Sequence, residues 1–114
     1  MTLDKFTIKA QEAIQVAINL ASRNGQQVIE PLHILAGIME KGKDVVNYIF
    51  HKSGINLQIV ESAVQSEISH LPKVSGGEPY LSPDANKVIQ TTMDESQKMG
   101  DEFVSIEHLL LALL

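Results

Sequence analysis

Ile29-Glu30-Pro31-Leu32-His33-Ile34-Leu35 decides the fold, because Val104-Ser105-Ile106-Glu107-His108-Leu109-Leu110 answers it 75 residues later. In the first stretch Pro31 sits where an opening helical residue belongs, and its ring fixes the required φ. Leu32, Ile34, Leu35, Ile38 and Met39 then make a short helix that is apolar nearly all round, and such a helix is buried. Working outward at the same offset, Ala10, Ile14, Gln15, Gly25, His33 and Leu35 meet Ala85, Ile89, Gln90, Gly100, His108 and Leu110 without a gap. Thr7 falls on Ser82, Ala13 on Val88, Ala17 on Thr92 and Ile29 on Val104. One helical unit is therefore written twice, and two such units build one pseudo-symmetric core.

The punctuation between these landmarks predicts an all-α chain with helices at 8–23, 31–40, 44–52, 57–70, 83–99 and from 106 onward. Phe6-Thr7 reads as an apolar residue followed by an N-cap, with Ala10, Ala13, Ile14, Ala17 and Ala21 at helical spacing up to the Gly25 stop. Asp44 is the expected cap of the third helix and Asn56 that of the fourth. Leu57, Val60, Val64, Ile68 and Leu71 then line one face. Pro72 to Pro79, with Ser75-Gly76-Gly77 inside it, cannot hold a helix and is the expected flexible linker. Ser82-Pro83-Asp84 supplies a cap, a first-position proline and a dipole-matched acid to the fifth helix. The domain reading is one domain over 1–114: repeat one at 6–71, linker at 72–79, and a partial repeat two at 80–114. Repeat two stops before any counterpart of Asp44 to Leu71. Leu109, Leu110, Leu113 and Leu114 are therefore expected to lack cover, as in an excised piece of a longer chain.

Composition narrows the function. A net charge of −5 and no run of Lys or Arg argue against non-specific nucleic-acid binding, which depends on clustered cations. The chain has no cysteine, hence neither disulfides nor thiolate metal sites. No uninterrupted apolar run approaches the ~18 residues of a membrane span. A soluble, cytoplasmic protein is the expectation. His33, His51, His70 and His108 show no ligand spacing, so structural histidines are expected and no metal site. The pairs Asp94-Glu95 and Asp101-Glu102 splay apart and support no acid–base dyad. No phosphate loop is present.

The ordered set Asp4-Lys5-Phe6-Thr7, Ile29-Glu30-Pro31-Leu32-His33-Ile34-Leu35, Ser53-Gly54-Ile55-Asn56, Leu71-Pro72-Lys73-Val74-Ser75-Gly76-Gly77 and Gly100-Asp101-Glu102-Phe103-Val104-Ser105 resembles the Clp N-terminal domain over essentially the whole chain. Ile-Glu-Pro-Leu-His and Leu-Pro-Lys-Val-Ser-Gly-Gly point to the ClpB-type disaggregase branch. The resemblance implies a non-catalytic module ahead of AAA+ ATPase rings. It would capture apolar segments of unfolded or aggregated client proteins for threading. ATP and Mg would serve only the parent chain, expected to be a homo-hexamer working with a DnaK-type chaperone system. The resemblance also marks Thr7, Asp101 and Glu107 as flanking the substrate groove. The alternative is an adaptor-docking domain of a ClpA- or ClpC-like protease subunit.

A physical argument stands beside the resemblance. Small residues on facing stripes of the first and fifth helices (Ala10, Ala13, Ala17 and Ala21; Ala85, Thr92 and Ser96) either leave a shallow apolar surface between them or are simply core. Ile14, Val88 and Thr92 are its groove or core candidates.

Overall fold

The computed structural model describes residues 3–74 and 76–113. Among the described residues are six helices: α1 (Ile8–Arg23), α2 (Pro31–Lys41), α3 (Lys43–Lys52), α4 (Leu57–Ser69), α5 (Pro83–Lys98) and α6 (Ile106–Leu113). Two short strands, β1 (Val28–Ile29) and β2 (Tyr80–Leu81), pair in parallel. All six helices fall within two residues of the sequence reading. The strands do not appear in that reading, since two residues are too few to show alternation.

Caps explain the boundaries. The Thr7 side chain accepts the Ala10 N–H at 3.2 Å, and Ser82 accepts that of Ala85 at 3.0 Å. At the other ends of α1 and α5, Gly25 and Gly100 take φ of +68° and +72°, a conformation that favours glycine. In both, the next residue's N–H reaches five residues back, Gln26 to Ala21 and Asp101 to Ser96, completing matched Schellman turns. Asn56 caps α4 as expected, its side chain accepting from Ile59 N–H at 3.2 Å. Asp44 is not the cap of α3. Gly42 holds that position because α2 and α3 join without a loop, which leaves Asp44 in the first turn, where its charge suits the dipole.

α2 is the hub, packing against each of the other five helices, as its all-round apolar sequence requires. Its closest approach is to α1 at Gly37, where a Cβ would run into the backbone carbonyl of Ala13. The alanine stripe of α1 (Ala10, Ala13, Ala17 and Ala21) is therefore buried in the core. Of the two readings of these stripes the structure shows core and no shallow surface between α1 and α5, which do not pack along each other; each turns its small residues inward, toward α2 and α6 respectively. Small side chains there set helix separation.

The repeats interlock by exchange. Thr7 N–H donates to Val104 O at 2.8 Å, and Ser82 N–H donates to Ile29 O at 3.0 Å, the same bond with the repeats interchanged. The Phe6–Val104 bridge and the Ile29–Leu81 strand pair follow the same reciprocity. α6 lies against α5, α2 and α1. Leu109 and Leu110 are consequently buried, at 0% and 4% exposure, which corrects the expectation that they lack cover. Leu111 is the exposed leucine, Leu113 is partly buried, and Leu114 lies outside the described residues.

Candidate functional site

A cleft of about 460 Å3 opens where the start of α1, the α2–α3 junction and the start of α6 meet. Gly42 forms its floor against Ile106, so close that a Cβ on Gly42 would stand 2.8 Å from Ile106 Cγ2. Thr7 and Glu107, far apart in sequence, both line it. The Thr7–Val104 bond holds them in register by tying the entry of α1 to the segment that leads into α6. The Thr7 hydroxyl oxygen is engaged as a cap acceptor, leaving its proton free to donate outward. Glu107 is exposed in the first turn of α6.

The rim is electrically mixed. Lys9, Lys41 and Lys43 stand among Glu40, Asp44 and Glu107, so no net charge selects a partner of one sign. The apolar component lies beside it. Ile8 follows Thr7 and Phe103 precedes Val104, and these neighbours of the bonded pair are 76% and 53% exposed. The sequence carried this signal for Ile8, which falls off the buried stripe of α1. Phe103 occupies the position of half-buried Val28 in repeat one, which hid its exposure.

The other expected residues do not join the cleft. Ile14 and Thr92 are 1% and 0% exposed, so they are core and offer no surface to a ligand. Thr92 also spends its hydroxyl inside α5, donating to Val88 O at 2.7 Å. Val88 is half-buried against the core. The carboxylate of Asp101 instead meets His108, with Oδ2 at 2.8 Å from Nε2.

That contact has a twin. His108 Nδ1 accepts the Ser105 backbone N–H at 2.9 Å, and His33 Nδ1 accepts that of Glu30 at the same distance. Each histidine thus closes the N-terminal turn of its helix from the third position, the role a Glu or Gln plays in a capping box. With Nδ1 accepting, the proton sits on Nε2, which faces Asp101 in repeat two and Gln26 Oε1, at 2.7 Å, in repeat one. Burial pushes the His33 pKa below its ordinary 6.5, partly opposed by the Glu30 charge. Both ring nitrogens of each buried histidine are thus engaged within the fold. Among the described residues no group of His, Asp and Glu is arranged to hold a metal ion.

The model of the Clp repeat N-terminal domain matches residues 5–114. The chain belongs to this Clp N-terminal domain family. Over its full length it is 57% identical to the chaperone protein ClpB of Bacteroides thetaiotaomicron and 46% identical to that of Porphyromonas gingivalis, and covers 13% of each. Among solved structures, the Hsp104 N-terminal domain from Candida albicans superposes with a TM-score of 0.89 at 24% identity, covering 96% of this chain and 73% of that one. The N-terminal domain of the ClpV1 ATPase from E. coli EAEC gives 0.88 at 19% identity, covering 97% and 68%. At those identities the likeness is one of fold. As a Clp N-terminal domain the chain is similar to a part of these ClpB chaperones. Among the described residues no helix is long and apolar enough to cross a membrane.

Proposed function

We propose that the chain is the non-catalytic client-recognition module of a ClpB-type protein disaggregase, capturing exposed apolar segments of unfolded or aggregated proteins for threading by an AAA+ ring. The observation that carries this reading is the exposure of Ile8 and Phe103, chain neighbours of the bonded Thr7 and Val104, with Thr7 itself lining a cleft whose rim has no net charge. An extended client segment would place apolar side chains on Ile8 and Phe103 while its backbone carbonyls take the Thr7 hydroxyl proton. Full burial of two such side chains is worth about 1.5–3 kcal/mol each before the cost of association, so the contact is weak and tolerant of sequence. A first-contact module works that way. Glu107 stands at the rim, and Asp101 acts through His108 at the entry of α6.

On this reading ATP and Mg belong to the parent chain, a cytoplasmic homo-hexamer working with a DnaK-type system, with neither nucleic acid nor membrane as partner. The test is binding of a fluorescent, denatured client to wild type and to Thr7→Ala, Asp101→Ala and Glu107→Ala, with salt titrated. Weakened capture in the variants, with little dependence on salt, is expected. Undiminished binding in all three removes these residues from the site. Salt-sensitive binding to a single folded partner instead would favour the adaptor-docking role.

A further inference from the structure

The end of α4 is held by one side chain from the turn after α1. Gln26, 2% exposed, directs its Nε2 at two carbonyls there, Ile68 O at 2.6 Å and Leu71 O at 3.4 Å. Carbonyls only accept, so the Gln26 nitrogen must face them and its Oε1 must face His33. The opposite side of the imidazole is equally determined. A backbone N–H only donates, so Nδ1 of His33 must carry a lone pair toward Glu30. The chain Glu30 N–H to His33 to Gln26 to Ile68 O therefore has a single polarity, inside a region where His33 itself is 0% exposed.

A second proton on His33 breaks that polarity at one place. It would sit on Nδ1, pointed at another donor 2.9 Å away, with no room for water to intervene. The ring has to turn, and Nε2 then leaves Gln26. We propose that His33 and Gln26 form an acid-sensitive latch, closed while His33 is neutral, which frees the first turn of α2 and the α4–linker junction together when His33 is protonated.

The charges around His33 do not relieve the clash. Glu30 is the charged group whose field acts on it. Arg23 on α1, Asp44 on α3, Glu67 on α4 and His70 at its C-cap, Asp84 on α5 and Glu107 on α6 all face solvent. The direction follows from the lowered pKa. Between that value and 6.5 the opened form binds one more proton than the closed form, so opening is favoured as the pH falls below about 6.5.

Amide hydrogen exchange on the chain, from pH 7.5 to pH 5 and corrected for intrinsic rates, tests the latch. Protection at Glu30, Ile34, His70 and Leu71 is expected to fall by up to about tenfold per pH unit below 6.5. In His33→Gln, which can still cap α2 but cannot titrate, it should stay level. Equal protection at both pH values in wild type overturns the proposal, as does the same fall in His33→Gln. Loss centred on Ser105 to Leu109 would assign the effect to His108 and overturn it too. Should His33→Gln not fold, imidazole 15N shifts of the wild type decide at pH 7.5. A neutral ring with its proton on Nε2 is required, and any other form contradicts the latch.

Discussion

Repeat one and repeat two share their caps, their glycine stops and their buried histidines, yet they solve two packing problems differently. Where α1 meets α2, Ala13 and Gly37 allow backbone contact; the matching positions of α5 and α6 carry Val88 and Ala112. Where the histidine needs an acceptor, repeat one uses buried Gln26 and repeat two uses exposed Asp101. The lesson is one of burial. Gln26 can also donate, and it must, because the end of α4 lies over it; a carboxylate there would face two carbonyls with no proton to offer. Asp101 meets no such demand and keeps its charge in contact with water.

The largest expected break in this comparison is Gly37→Ala. Its Cβ would collide with the Ala13 carbonyl, forcing α1 and α2 apart at a cost of about 3 kcal/mol or more, whereas Ala112→Gly in repeat two should cost about 1 kcal/mol or less. Urea melts of both variants measure the gap. Next comes Gln26→Leu, which strands the His33 Nε2–H and the Ile68 carbonyl inside the protein. About 2–3 kcal/mol is expected, against about 1 kcal/mol or less for Asp101→Asn, whose site water can reach. Similar losses for the pair would mean that burial does not separate the repeats. Smallest, and matched across them, are the caps: Thr7→Ala and Ser82→Ala should each cost about 1 kcal/mol by the same melts.

The sequence made the helices legible because their signals are local: Thr7, Ser82 and Asn56 at the caps, Gly25 and Gly100 at the stops, and Pro31 and Pro83 at the first turns. It also made α2's central place legible, since a helix apolar on all sides has to be enclosed. What it hid was relational. The exchange of Phe6 with Val104 and Ile29 with Leu81 joins segments with no local signature. Asp44 looked like a cap because nothing in the sequence shows that α2 runs into α3 through Gly42. The alanine and threonine positions that the sequence leaves open between groove and core are core; a small-residue stripe reads the same whether it faces a ligand or a neighbouring helix. Of the candidate site, Thr7 and Glu107 converge on one cleft, while Asp101 turned to a histidine seven residues away and Ile14 and Thr92 turned inward.

Client capture beside the Thr7 cleft is the central claim, and its most direct test removes the apolar surface while leaving the fold alone. Ile8 and Phe103 are both more than half exposed, so Ile8→Ser with Phe103→Ser should shift stability by only about 1 kcal/mol or less. Fluorescence anisotropy with a labelled, permanently denatured client then compares this double variant with wild type at equal folded concentration. The account predicts at least about a tenfold loss of affinity, the equivalent of about 1.4 kcal/mol of lost apolar contact. Unchanged affinity in the folded double variant would contradict it.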